Sequence, residues 1–335
     1  MPQREGFACA GNWIIDHVRL IDQYPHEEGL ALIREESRST GGCAYNVICN
    51  LHAIDPELPL YAIGVLGEDE NGHFIFDDCH KRDVDTFQLV ATDAAPTAHA
   101  EVMFSQASQR RTFFHHPGAN QLLNVEHFNF RHCLAQWLHL GYLLLLEQLD
   151  QPDAEFGTRA GRVLHAAKLA GLTTSVDVVT TASERYARVV VPTLPYIDYL
   201  VINEIEAERT SGIATREGHS LLKDGVVAAA EKLLDLGVNR CVVIHFPEGG
   251  YAVYKGSRAV FWQEAVNLPT DKIRNTAGAG DAFCAGFLYG SYHNWPAQKC
   301  LEMAVCCAAG KIGVAASSGG MLIKEANLAW LKIYE

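Results

Sequence analysis

Positive charge is scarce in this chain of 335 residues: 27 Lys and Arg stand against 40 Asp and Glu, a formal net charge of −13 at pH 7. Such a surface repels polyanions, which argues against nucleic acid or an anionic membrane as partner. A small anion needs only a local positive site and stays open. Long apolar runs are missing as well. The longest, around residues 143–146, falls far short of the roughly 20 residues that span a bilayer. The opening Met-Pro-Gln-Arg-Glu does not read as a signal peptide, so a cytoplasmic protein is expected. The ten cysteines include no C-x-x-C pair and no Cys/His cluster at zinc spacing. Scattered as they are, they read as buried thiols in a reducing compartment, with Cys306 and Cys307 as packing in an alanine-rich helix. Two common phosphate signatures are also absent. There is no G-x-x-x-x-G-K-[ST], and Gly278-Ala279-Gly280 is followed by Phe283 where a dinucleotide fingerprint has its third glycine. That argues against a Walker-type NTPase and an ordinary Rossmann dehydrogenase.

What is present is a large apolar fraction, 48%, ample for a core, and one stretch with unusual chemistry. Asn275-Thr276-Ala277-Gly278-Ala279-Gly280-Asp281 is a small-residue loop running into an apolar helix that carries Phe283, Phe287 and Leu288. The first amides of a helix have no acceptor inside it, and the macrodipole is positive there, so this loop suits an anion such as a phosphoryl group. Asp281 alone reads equally as an N-cap or as a base. The glycines and alanines before it permit close approach of a ligand and leave it the only nearby base.

Residues 275–281 resemble the D-T-x-G-A-G-D signature of the PfkB/ribokinase family of carbohydrate kinases. The resemblance implies a doubly wound, mostly parallel sheet flanked by helices, of the ribokinase-like α/β class, with a small β-sheet lid. It further implies that Asp281 is the general base and that Gly278, Ala279 and Gly280 form the anion hole, with Thr276 on the nucleotide side. Asn275 replaces the first aspartate, which in the family contributes to a monovalent-cation site, so potassium activation is not carried over.

Earlier in the chain, residues 7–16 read as a buried strand leaving the core at Gly11, with Asn12 and Asp16 four apart at its exit, where open α/β sheets bind ligands. By themselves both read as turn residues. The family resemblance instead makes Asp16 a ligand of substrate hydroxyls and Asn12 its companion. Gly41 and Gly42 resemble the family's substrate-binding glycine pair, and Asn46 its following asparagine. Residues 60–66 read as a buried strand and 67–72 as a turn and cap with structural duties. Residues 17–40 and about 96–118 alternate polar and apolar positions, and by resemblance they are lid strands inserted into one kinase domain spanning 1–335. Arg111 is the lid cation that could steer a negative ligand. His115 and His116 lack a third metal ligand at useful spacing and read as lid histidines.

After Asn120 strands and helices alternate, as in βαβ units. Strands are expected at 137–142, 172–179, 196–202, 241–245 and 251–254, and helices at 154–170 and 296–314. The last helix reads as a wall beside adenine. Asn203-Glu204-Ile205-Glu206 resembles the N-x-x-E motif that helps hold magnesium and its waters; acting through water, Glu206 suits an ion that keeps its hydration shell. Near Gly249 the family has G-x-x-G lining the nucleotide, and Phe246 stands at the first of those glycines. The expected activity is transfer of the ATP γ-phosphoryl group, with Mg²⁺, to a hydroxyl of a small sugar. The alternatives are a nucleoside kinase of the same family, with the Trp13-Ile14-Ile15 run beside the base, or a catalytically silent sugar sensor. Lids of such kinases often pair between subunits, so a homodimer through the lid is an expectation.

Overall fold

The computed structural model describes residues 4–108, 110–181, 184–269 and 277–313. Asn275 and Thr276 lie outside the described residues.

The first strand, β1 (Phe7–Ala10), is buried on both faces, and its alternation shows why the sequence there is apolar throughout. Phe7 and Cys9 enter one core while Ala8 and Ala10 enter the other, as a central parallel strand requires. The chain continues through β2 (Ile14–Ile21), β3 (Ile33–Gly41), α1 (Cys43–Ile54), β4 (Leu60–Gly67), α2 (Glu70–Lys81) and β5 (Asp85–Thr92). After β6 (His99–Ser105), β7 (Arg111–His116) and β8 (Trp137–Leu143) comes a short ribbon, β9 (Pro152–Asp153) and β10 (Gly157–Thr158). Then follow α3 (Arg159–Leu169), β11 (Thr173–Val178), α4 (Tyr186–Thr193), β12 (Tyr199–Asn203) and α5 (Glu204–Ser211). A second ribbon, β13 (Arg216–Glu217) and β14 (Ser220–Leu221), precedes α6 (Lys223–Asp235), β15 (Cys241–Phe246), β16 (Gly249–Tyr254) and β17 (Val260–Glu264). Two helices close the described chain, α7 (Ala279–Tyr292) and α8 (Ala297–Ile312).

Nine strands form the main sheet in the order β17-β16-β15-β12-β11-β8-β1-β4-β5. The seven from β15 to β5 run parallel, and β16 and β17 add an antiparallel edge. Helices α1, α2, α7 and α8 cover one face and α3, α4, α5 and α6 the other. The strand order reverses between β1 and β8, so the carboxyl ends of these neighbours open the crevice where such sheets bind ligands. The expected doubly wound sheet is therefore present. So is the lid, a separate four-stranded sheet in the order β3-β2-β6-β7.

The strand expected over 196–202 begins at Tyr199, after a 3-10 turn over Leu194–Tyr196, and two boundaries differ more. The strand expected over 7–16 is two strands: Gly11, at φ 128°, turns the chain out of the main sheet, and β2 belongs to the lid. The helix expected over 154–170 starts at Arg159, because the preceding residues form the β9-β10 ribbon and Thr158 caps the helix by accepting from the Gly161 N–H at 2.9 Å. All ten cysteines are buried thiols. Among the described residues no helix is long and apolar enough to cross a membrane.

Candidate active site

The carboxyl edge of the sheet and the start of α7 bring the candidate residues together. Gly278 adopts the left-handed conformation (φ 76°) as N-cap of α7, and the first bond returning to it comes from the Ala282 N–H at 3.0 Å. The amides of Ala279, Gly280 and Asp281 precede that bond, in the turn whose donors the helix cannot satisfy. Asp281 does not cap this turn with its side chain. Its carboxylate is buried and reaches other elements: Oδ2 accepts from Asn46 Nδ2 at 2.7 Å and Oδ1 from the Tyr142 hydroxyl at 3.3 Å. Burial raises its pKa above the usual carboxylate range, while those two hydrogen bonds and the charge of Lys311 pull it back.

Asn46 lies on the first turn of α1, and the same turn gathers the substrate-side candidates. Gly42, the N-cap of α1, has φ 83°; a Cβ there would lie 2.4 Å from the Asn12 carbonyl oxygen, so only glycine permits this approach. A Cβ on Gly41 would lie 2.5 Å from Asp16 Oδ1. Asn12, Asp16, Gly41, Gly42, Asn46 and Asp281 thus form one continuous chain of contacts. Asn12 is fully buried, yet neither atom of its side-chain amide has a hydrogen-bond partner. Burial moves the Asp16 pKa up to about 7, opposed by the charge of Arg111. Arg111 itself sits on β7 with its guanidinium 5.1 Å from the Phe104 ring. His115 and His116 lie on β7 as lid residues, and the His116 ring stacks on His99 at 5.0 Å.

On the other side of Asp281 lie two cavities. One, of about 840 Å³, runs beside Gly249, Trp262, Phe283, Val305 and Ala308, so α8 forms part of its wall. Phe246, which stands where the family has the first glycine of G-x-x-G, borders it. The second, of about 260 Å³, reaches Asp281, Asp177, Glu206 and Gly278. Both are bordered by Asn203, His245 and Gly280, which makes them neighbours across one short rim. Asn203 and Glu206 form a reciprocal cap on α5: the Glu206 N–H donates to Asn203 Oδ1 at 2.8 Å, and the Asn203 N–H to Glu206 Oε2 at 2.9 Å. Glu206 Oε1 also accepts from Thr180 Oγ1 at 2.6 Å and Asn203 Nδ2 at 2.8 Å. Burial raises the Glu206 pKa to about 7.

Sequence reading missed three neighbours of the site. Tyr142 sits at the end of β8 with φ 59° and was read only as a strand residue. His245, at the rim of both cavities, has its pKa drawn down to about 4 by burial and is neutral. Lys311 is buried on α8, its pKa lowered by burial to about 8 against the pull of Asp281. A single lysine in the apolar run 303–312 was the available signal for it.

Residues 5–321 match the model of the pfkB family carbohydrate kinases. An ATP-dependent ribose-1-phosphate kinase of Halopiger xanaduensis is 27% identical over 89% of this chain and 88% of its own. An adenosine kinase of Dictyostelium discoideum is 26% identical over 88% and 90%. Among solved structures, Arabidopsis thaliana ribokinase complexed with ribose and ATP superposes with a TM-score of 0.78 at 23% identity, covering 98% of this chain and 99% of that one. With a match that spans nearly its entire length and a fold shared to this degree, the chain belongs to the PfkB family of carbohydrate kinases.

Proposed function

We propose that this kinase transfers the γ-phosphoryl group of ATP to a hydroxyl of a small sugar and that Asp281 takes the proton of that hydroxyl. The observation that carries the reading is the position of the Asp281 carboxylate. It is buried at the start of α7, held by Asn46 from the substrate side and bordered by the smaller cavity on the other. A phosphoryl group entering from the larger cavity across the Gly280 rim meets the amides of residues 279–281, and an acceptor lying against Asn46 meets the base. Family relatives that are sugar and nucleoside kinases support the reaction class.

Asp281 needs no large change in proton affinity for this task. In the transfer the acceptor hydroxyl loses its proton late, and a carboxylate held by two hydrogen bonds is oriented to receive it. The unpaired amides offset charge that grows on the phosphoryl oxygens. Asn12 and Asp16 supply acceptors and donors for sugar hydroxyls, and the unpartnered amide of Asn12 is the polar atom pair such a ligand would satisfy. The 840 Å³ cavity has apolar walls from Phe283, Val305 and Ala308, suited to a purine, and Asn203, Gly249 and Gly280 near its polar end.

Magnesium fits through water. Both Glu206 oxygens already accept protein hydrogen bonds, but Oε2 has capacity left for a hydrated ion. Bound there, the ion would supply neutralisation of the phosphate oxygens. On this reading residues 1–335 act as one kinase domain with the lid segments as insertions, the lid shields the transfer from water, and exposed lid residues such as Phe113 and Phe114 are available for pairing between two copies.

One observation weighs between sugar and nucleoside. Trp13 is inside the core, its Nε1 donating to the Ile63 carbonyl at 2.9 Å and its ring 5.3 Å from Tyr45. It therefore offers no open face for a base. The test is ATP consumption over a panel of ketoses, aldoses, sugar acids and nucleosides, followed by locating the new phosphate on the product. Turnover confined to nucleosides would replace the acceptor class, and turnover with none would remove the activity.

A further inference from the structure

Behind the Asp281 carboxylate, three buried side chains from three elements meet. Cys43 opens α1, His139 lies in the middle of β8, and Asp177 stands near the end of β11. Cys43 Sγ is 2.7 Å from Asp177 Oδ2 and 3.2 Å from His139 Nε2, and the ligating atoms of all three fall within 4.8 Å of one another. Gly141 makes room for them, since a Cβ there would lie 2.7 Å from the Cys43 sulfur.

The hydrogen bonds around the cluster fix which of its atoms face the sulfur. Ser175 Oγ lies 3.4 Å from the Leu138 carbonyl, to which it can only donate, and 3.1 Å from His139 Nδ1. The hydroxyl therefore accepts from Nδ1–H, which leaves His139 Nε2 as a bare lone pair aimed at the sulfur. Asp177 Oδ2 lies at the same sulfur, while Oδ1 accepts from the Tyr142 N–H at 2.6 Å. Sulfur, nitrogen and oxygen from three elements thus face one another at hydrogen-bonding distances or little more. A cation can serve all three atoms.

We propose that Cys43, His139 and Asp177 form a binding site for a thiophilic divalent cation of the zinc type. Sulfur, imidazole nitrogen and carboxylate oxygen are a donor set that zinc accepts. A tetrahedral zinc spaces such donors by about 3.5 Å, so the Cys43 sulfur draws back from each of its two neighbours by less than about 1 Å to admit it. Ser175 fixes the imidazole tautomer, the arrangement that holds a histidine ligand in place. Asp177 also borders the 260 Å³ cavity, and a water can fill the fourth position. Burial holds His139 neutral and keeps the Cys43 thiol and the Asp177 carboxyl protonated, so binding takes the ion, a neutral imidazole, a carboxyl and a thiol, and releases two protons to solvent.

The test does not depend on the kinase reading. The metal-free full chain, kept reduced with a phosphine, is titrated with Co²⁺ while the thiolate-to-cobalt charge-transfer absorption is followed, and Zn²⁺ is then added. The site predicts a band that saturates at one equivalent, release of two protons per ion, and loss of the band on adding zinc. Cys43→Ser abolishes it, Ser175→Ala weakens cobalt binding about 10- to 100-fold, and Cys306→Ser leaves it unchanged. Absence of the band in the unsubstituted protein, its persistence in Cys43→Ser, or its loss in Cys306→Ser overturns the site. If thermal melts show that Cys43→Ser fails to fold, Ser175→Ala decides: unchanged cobalt affinity in that variant rejects the proposal.

Discussion

Replacing Asp281 with asparagine tests the proposed chemistry with little change in shape. The amide keeps an oxygen where Asn46 Nδ2 donates at 2.7 Å, and its nitrogen then faces the Tyr142 hydroxyl at 3.3 Å, which can rotate to accept. Those two hydrogen bonds are kept, and a buried charge that burial disfavours is removed. Stability should therefore stay within about 1 kcal/mol of the parent. Proton acceptance is lost outright, and a positioned base contributes about 10²- to 10⁴-fold, or roughly 3–5 kcal/mol of barrier at 1.36 kcal/mol per decade. The assay is steady-state ADP release with the best acceptor from the panel, with ATP affinity measured separately by calorimetry. The expected result is kcat reduced by two to four decades at unchanged ATP affinity. The acid limb of the parent pH profile should also lie above the ordinary carboxylate range, because activity needs the deprotonated form and burial raises the proton affinity of Asp281. A variant turning over within about threefold of the parent, or an acid limb centred near pH ~4, refutes the role.

Asn12→Ala removes a buried amide that pairs with nothing in the protein; thermal stability should hold or rise, while KM for the acceptor rises roughly 3- to 10-fold for one lost hydrogen bond, and lower stability with unchanged KM would contradict a substrate role. Gly42→Ala forces a Cβ to 2.4 Å from the Asn12 carbonyl at φ 83°, so chemical denaturation should show a loss of about 1–3 kcal/mol; a neutral effect would mean that the α1 entry relaxes freely. Asp16, with a folded-state pKa of about 7, holds its proton more tightly folded than unfolded, and the stability this gives is present at low pH and lost as pH rises through about 7. His139 and His245, drawn down by burial to about 3 and about 4, act in the opposite sense at lower pH, so the useful quantity is a difference. The stability of the parent relative to Asp16→Asn should fall between pH 5 and 8, and a rise would show that Asp16 is not buried as described.

The parts of this site that could be read from the sequence are those where the chemistry is local. Gly278 to Asp281 sits within one turn, and Gly41, Gly42 and Asn46 span the entry to a single helix, so spacing alone carries their relation. The lid strands were legible because their sequence alternates polar and apolar residues, although only β6 alternates in burial while β3 and β7 are mostly exposed. Tyr142, His245 and Lys311 were not, since nothing near them in the chain shares their role; each meets the site only because β8, β15 and α8 end at the same edge. The cluster of Cys43, His139 and Asp177 is the extreme case. Cys43 and His139 are separated by 96 positions, so a search for zinc spacing passes over them. What joins them is the parallel register of β8 with β11, which sets Ser175 opposite His139, and the pleat, which turns both toward α1. A slip of one residue in that register would send Ser175 and Asp177 to the opposite face, leaving His139 without its fixed tautomer and Cys43 without its carboxylate. The site therefore belongs to the strand pairing rather than to any segment of the chain.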